Sequence, residues 1–404
     1  MNNPKKPRKE YLGIDKDVLL LTIVSFINDL SSEMIMPILP MFITSLGGSS
    51  VVVGLIGGLK DSISSILKVI SGYYSDKTGR RKIFVFAGYL TSSIFKLLLS
   101  ISTTWLGVLF FSAFERVGKG VRTAPRDAII SDLMAKKRGR GFGVQRAGDT
   151  FGAILGSVGV LILFWYLYYD FRKIILISAS LSFLALIPLY FLKEKKKNKR
   201  QDLSLKIGLK NLSTPLKLFI LISGIFTLSN FSYMFYILKA QTIFTGRLAI
   251  GAPIILYILF NIFYGVFALP FGVLSDKIGR EKVIIFGYII YAITAFGFAL
   301  FSSLNYFIIL FALYGISYAI IEGNQRAYVS DLSSEYIRGT ALGTFHTIVG
   351  LMALPSSLIA GYLWSIDPNI PFIYGGIVAL ISSILFIIFA IKFKLSDINI
   401  ENTN

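Results

Sequence analysis

Twelve apolar runs, each long enough to cross a lipid bilayer, constrain this 404-residue chain more than any other feature. A hydrocarbon core of about 30 Å takes roughly 20 apolar residues in helical form. Runs of this kind lie near 18–44, 51–74, 83–103, 106–129, 142–165, 172–192, 216–238, 251–274, 283–303, 306–329, 340–364 and 371–391. In hydrocarbon, a segment must satisfy its own backbone amides, which leaves the helix as the form these runs take. Composition agrees: only 16% of the residues are charged, where a soluble domain carries about 25%. The basic stretch Lys5 to Lys9 resembles a signal-peptide head. The run behind it continues through Asn28 and Asp29 without a small-residue cleavage pattern, so it reads as an uncleaved first helix. With no Cys in the chain, disulfides and thiolate metal sites are excluded.

The formal charge is +19. It sits between the apolar runs rather than on one soluble face, which points to basic loops beside a membrane and away from nucleic acid. With Lys239 counted to the end of the seventh run, the connectors that follow the odd-numbered runs and their edges carry only Arg172, Lys173 and Arg247. Nearly all other loop Lys and Arg lie on the opposite side. The positive-inside rule then places both termini in the cytoplasm of a multi-pass protein of the cell membrane. The longest connector, 193–215, is a run of Lys and Arg and reads as a solvated cytoplasmic linker. It divides the chain into 1–192 and 216–404, six runs each.

The two parts repeat one another. Gly72-Tyr-Tyr-Ser-Asp76-Lys77-Thr-Gly79-Arg80-Arg81-Lys82 returns as Gly272-Val-Leu-Ser-Asp276-Lys277-Ile-Gly279-Arg280-Glu281-Lys282, with seven of eleven positions identical at an offset of 200. Arg126 and Arg326, and Arg138-Gly139 and Arg338-Gly339, share that offset. Such a register is the mark of internal duplication. The expected fold class is an all-α integral membrane protein, with twelve transmembrane helices in two six-helix pseudo-symmetric bundles.

The pattern G-x-x-x-D-[KR]-x-G-R-[KR] between the second and third of twelve helices, repeated between the eighth and ninth, resembles the signature of the major facilitator superfamily. The resemblance covers nearly the whole chain. The first copy matches fully, and the second has Glu281 where a base is usual. It implies a secondary transporter whose Asp76, with Asp276 as its twin, contacts the facing half and releases it on switching. The candidate gate is therefore Gly72, Asp76, Gly79, Arg80, Arg138, Asp276, Gly279 and Arg280. Physically, Gly79 and Gly279 suit a reversal at positive φ. A carboxylate at the C-terminal end of a helix opposes its dipole and needs a nearby cation; Arg80 and Arg138 are the local candidates for Asp76. Arg116-Val-Gly118-Lys-Gly120 resembles a drug-antiporter signature with the glycine one place early. The fifth run has Gly156-Ser157 where family antiporters have Gly-Pro, and its Gly148, Gly152, Gly156 and Gly159 suit close helix packing.

Ionisable residues inside membrane helices cost several kcal/mol unless paired or wet, and so are functional candidates. The fourth run places Glu115, Lys119, Arg122 and Arg126 on one helical face, beside Arg116 and ahead of Pro125. Lys60, Lys68, Lys96 and Arg146 add cations to the same half. Glu115–Lys119, Arg146–Asp149 and Glu322–Arg326 all have helical pairing distances. Asp29 and Glu33, four residues apart, set two like charges on one face of the first helix beside Asn28 and Ser32. A proton held between them relieves the repulsion, as a proton-coupling site requires. The candidate coupling and substrate cavity is Asp29, Glu33, Glu115, Arg116, Lys119, Arg122, Asp149 and Glu322, with Asn230 and Asn261 as cavity markers because lipid rejects amides. His346 is the only His.

The expected activity is proton-coupled efflux of a small organic anion or zwitterion by alternating access, in a monomer, with no cofactor and no metal. A proton-coupled uptake carrier and a divalent metal exporter built on Asn28, Asp29, Glu33 and His346 remain alternatives. A polytopic enzyme is disfavoured: with one His and no Cys, no nucleophile–base constellation is recognisable. No Walker A loop is present to bind ATP.

Overall fold

A computed structural model of the chain describes residues 10–11, 13–134, 137–193, 212–334 and 337–401. The Lys5–Lys9 stretch and most of the basic linker lie outside the described residues. Apart from an antiparallel hairpin of two-residue strands, β1 (Glu10–Tyr11) and β2 (Ile14–Asp15), the described chain is helical. The helices are α1 (Lys16–Ile35), α2 (Leu39–Ser45), α3 (Ser50–Thr78), α4 (Arg81–Ser100), α5 (Trp105–Leu133), α6 (Arg138–Trp165), α7 (Phe171–Leu184) and α8 (Leu186–Tyr190). There follow α9 (Thr214–Ser229), α10 (Met234–Gln241), α11 (Leu248–Ile278), α12 (Arg280–Leu300), α13 (Leu304–Asp331), α14 (Arg338–Ile366) and α15 (Ile370–Glu401).

Eleven stretches among the described residues are long and apolar enough to cross a membrane, with α1–α2, α7–α8 and α9–α10 each forming one of them. The twelfth expected crossing, α5, is an unbroken helix of 29 residues, but it carries Glu115, Arg116, Lys119, Arg122, Arg126 and Asp127. This is a multi-pass membrane protein with the expected all-α fold. The helix that departs from the apolar pattern is the one expected to carry chemistry. Pro125 lies inside α5 without ending it.

Three crossings are broken. Pro37 and Pro40 remove backbone donors between α1 and α2. Pro188 plays the same part behind the α7–α8 break. The break between α9 and α10, at 230–233, contains neither Gly nor Pro. It is stabilised by side chains of other helices. Ser356 Oγ donates to the Leu228 carbonyl (3.0 Å), Tyr291 OH to the Ser229 carbonyl (2.8 Å), and the Ser232 N–H donates to Ser357 Oγ (3.1 Å). Broken backbone at membrane depth is tolerated where such partners exist.

Contacts divide the chain into two compact units. Unit 1 comprises residues 1–36, 67–102 and 110–203, and unit 2 comprises 37–66, 103–109 and 204–404. In unit 1, α6 lies against α1 through glycines: a Cβ at Gly148 would stand 2.6 Å from Thr22 Cγ2, and one at Gly152 would stand 2.5 Å from the Phe26 carbonyl oxygen. Gly156 meets the Leu30 carbonyl in the same way, whereas Gly159 has open space around it. The close-packing reading of these glycines holds for the first three. In unit 2 the first half of α3 packs backbone to backbone on α14, through Gly54, Gly58 and Gly361. Its interior is aromatic, with Tyr236 stacked on Tyr314 at 4.1 Å and edge-on to Phe298 at 5.0 Å.

Candidate functional site

Each copy of the repeated motif builds a carboxylate–arginine–carboxylate triad. In unit 1, Arg81 bonds Asp76 at the end of α3 (2.5 Å), Asp132 at the end of α5 (2.5 Å) and the Ala128 carbonyl (3.3 Å). In unit 2, Arg280 bonds Asp276 (2.8 Å), Asp331 at the end of α13, and Ser275 Oγ (3.1 Å). Gly79 and Gly279 stand at φ +65° and +98°, as the tight reversal requires. The partner expected for Asp76 is corrected. Arg80 is the exposed residue capping α4 and makes no pair with Asp76, and Arg138 is described in backbone only. The duplication aligns Arg80 with Arg280, but the triads equate Arg81 with Arg280. Position 281 is Glu, and it accepts a hydrogen bond from Tyr328 (2.6 Å) instead. Gly72 lies near Ala124 Cβ at 3.2 Å from a built Cβ, while Gly272 has open space around it.

The charged helix α5 packs its ions into unit 1. Arg126 sits between Asp127 (3.0 Å) and Asp149 (3.9 Å) and donates to Ser25 Oγ (2.7 Å), which in turn meets the Tyr89 hydroxyl (3.0 Å). Asp149 also accepts from the Gln145 amide (2.9 Å). Buried Glu115 pairs with its neighbour Arg116 (3.2 Å) rather than with Lys119 at helical spacing, and the ion-pair partner of Asp149 is Arg126 of the neighbouring helix (3.9 Å).

Arg122 and Lys119 are different. Arg122 is 3% exposed, yet among the described residues no carboxylate pairs with it. One N–H donates to Ser92 Oγ (2.5 Å), and the guanidinium lies 4.4 Å from the centre of the Tyr89 ring. Lys119, at the midpoint of α5, is exposed, and its ammonium makes no hydrogen bond or ion pair to any described residue. A lysine at that depth is tolerated where it faces water rather than hydrocarbon. On α1, the half-buried Asp29 carboxylate accepts, among the described residues, only from the Asn28 amide (3.2 Å), with no cation of those residues in ion-pair distance. Among the described residues, unit 1 thus offers two α5 cations with no carboxylate in ion-pair distance and one α1 carboxylate with no cation in ion-pair distance. Glu33 lies four residues further along α1, also half-buried.

In unit 2, Glu322 pairs with Arg326 (2.9 Å), as its spacing predicts, and accepts from the Tyr264 hydroxyl. The Tyr318 hydroxyl donates to Asn230 Oδ1 (3.2 Å). Asn261 is buried with its Nδ2 unpartnered. His346 lies on α14 with its ring edge-on to Phe345 at 5.4 Å. Among the described residues, no three His, Cys, Asp or Glu side chains gather as a metal-binding group.

The sequence matches the Major Facilitator Superfamily profile over residues 21–254 and 222–399. The chain belongs to this superfamily. It is 60% identical over 386 residues to the uncharacterized MFS-type transporter MJ1317 of Methanocaldococcus jannaschii, covering 95% of this chain and 97% of that one. Over 141 residues it is 30% identical to the multidrug resistance protein MdtH of Shigella dysenteriae, which spans 35% of this chain and 34% of the relative. A POT family transporter crystallised with a thioalcohol-conjugated peptide superposes with a TM-score of 0.78 at 13% identity, over 96% of this chain and 98% of that one.

Superfamily membership makes this chain an MFS-type transporter, of a superfamily that carries small solutes. Sequence reasoning missed Arg81, Asp132, Gln145, Tyr89 and Ser92. Helical spacing finds partners on the same helix, whereas these residues pair across helices. The one available signal was the Asp132-Leu133 and Asp331-Leu332 repeat. Its offset of 199 equals the offset between Arg81 and Arg280.

Proposed function

We propose that this transporter moves a small organic anion or zwitterion by alternating access, in the efflux direction and coupled to protons. Both termini are cytoplasmic in this reading, and the sequence halves 1–192 and 216–404 around the basic linker rock against one another. One observation carries it: Lys119 and Arg122, three residues apart on α5, hold their charges without a carboxylate partner among the described residues. Buried charge is costly unless compensated, so an arriving anion completes what the protein leaves open. A guanidinium forks onto a carboxylate or phosphate, and such charge-assisted bonds are roughly twice as strong as neutral ones. Asp29, with no cation in ion-pair distance among the described residues, supplies the group that exchanges protons or takes the ammonium of a zwitterion. The part-length likeness to MdtH supports efflux. The arginine-centred triads support a motif that holds the cytoplasmic ends of the helices in register and releases them on switching.

The test is the melting temperature of the purified protein against panels of organic anions, zwitterions and cations. The proposal expects anions or zwitterions to raise it, and the rise to vanish in Lys119→Met. Stabilisation by cations alone, or an undiminished response in the variant, overturns it.

A further inference from the structure

Lys96 on α4 is 1% exposed. Its stem therefore cannot carry the ammonium out to water, as lysines near membrane surfaces do. A sealed lysine normally stands against a carboxylate. Among the described residues none pairs with this one. Its Nζ instead meets three neutral oxygens of α1: Ser31 Oγ at 2.9 Å, Ser32 Oγ at 2.9 Å and the Asn28 carbonyl at 3.5 Å. The side-chain oxygen of the same Asn28 is also buried and has no hydrogen-bond partner.

The cage is held from behind. Ser31 Oγ donates to the Ser178 carbonyl of α7 (2.6 Å), and Ser178 Oγ donates back to the Ser31 carbonyl (2.6 Å). With its proton directed to α7, the Ser31 hydroxyl turns lone pairs toward Lys96. Hydroxyls and carbonyls converging on one positive charge, with no anion among them, form the kind of shell that replaces the water of a hard monovalent cation. An ammonium with three donors fits the same shell.

We propose that the α1–α4 seam is a monovalent-cation site that the chain fills with its own tethered ammonium. The Lys96 ammonium holds α1 to α4, and through Ser31 to α7, as a bound ion would, without being loaded or released. Transport by the wild-type protein is then independent of Na⁺. Removing the side chain uncovers a site for Na⁺ or NH₄⁺.

The experiment compares wild type, Lys96→Ala and Lys96→Met, purified at constant ionic strength in chloride salts of N-methylglucamine, Na⁺ or NH₄⁺. The wild type is expected to melt at one temperature in all three. Lys96→Ala is expected to melt lower in N-methylglucamine and to recover saturably with Na⁺ or NH₄⁺, as binding to the native state alone requires. Lys96→Met fills the space with an apolar chain and is expected to show no recovery. If Lys96→Ala is too unstable to melt, its yield as monodisperse protein in each salt is the readout, with recovery confined to Na⁺ or NH₄⁺. Melting or yield of Lys96→Ala that is the same in every salt, equal loss included, overturns the proposal. So does a wild type that itself responds to Na⁺.

Discussion

Alanine at Gly58 tests whether the packed seam of unit 2 opens during transport. A Cβ at Gly58 would stand 2.8 Å from Leu354 Cα, 3.0 Å from the Leu354 carbonyl oxygen and 3.1 Å from that of Ala353. Carbon atoms rest about 3.5–4.0 Å apart, so the overlap with Cα is at least about 0.7 Å. All three neighbours are backbone, and no rotamer change relieves them. Either α3 and α14 part, or the state in which they touch loses stability. Overpacking of this kind costs about 1–3 kcal/mol. If alternating access separates the two helices, that cost falls on the packed state alone. The population shifts toward the separated state by about 5- to 150-fold.

The absence of native cysteines makes the assay direct. A single reporter, Ser357→Cys, lies in the seam, where Ser357 is 1% exposed and its carbonyl faces Gly54. Its maleimide labelling rate from the Ser50 side of the membrane follows the open population. Gly58→Ala is expected to raise that rate by the factor above. Gly159→Ala, with open space around its Cβ, is expected to leave it unchanged. Equal rates in Gly58→Ala and the parent would refute the reasoning, since the seam would then not separate.

Three further outcomes are expected. Arg81→Ala loses bonds to Asp76, Asp132 and the Ala128 carbonyl and should destabilise unit 1 by about 1–2 kcal/mol after discounting for partial exposure, whereas Arg80→Ala should stay within about 0.5 kcal/mol; paired melting curves check this. Gly279→Ala and Gly272→Ala should differ in sign. The first forces alanine to φ +98°, costing roughly 1–2 kcal/mol; the second adds a methyl in open space inside a helix, gaining about 0.5–1 kcal/mol. Arg122→Lys keeps the charge but loses the fork, and should weaken binding of a carboxylate or phosphate solute less than Arg122→Met, whose loss of a charge-assisted bond at about 1.5–3 kcal/mol means roughly 10- to 150-fold. A titration of each variant with the stabilising solute separates them.

Much of the fold was legible because hydrocarbon demands it. Long apolar runs can only be helices there, and the Gly79 and Gly279 loops declare their turns through residues that tolerate positive φ. Breaks at Pro37 and Pro188 follow from missing backbone donors. The break at 230–233 was not legible, because its backbone is satisfied by Ser356, Ser357 and Tyr291 from elsewhere in the chain. The charges divide in the same way. Glu322–Arg326 forms from helical spacing alone, while Glu115, Asp149 and Asp76 choose partners other than those their spacing offered. Spacing along one helix says which ions can meet. Which do meet depends on the neighbouring helix, and so ions left over, Lys119 and Arg122 among them, emerge only from the structure.

Solute-driven proton movement in proteoliposomes tests the central claim most directly. The purified protein is sealed into vesicles holding a pH-sensitive dye, a proton gradient is imposed, and organic anions or zwitterions are added. The wild type is expected to move protons only when solute is present. Asp29→Asn should abolish the proton signal, and Lys119→Met with Arg122→Met should abolish solute movement itself. Solute flux that persists in the α5 double variant, or that runs without protons in the wild type, would contradict the account.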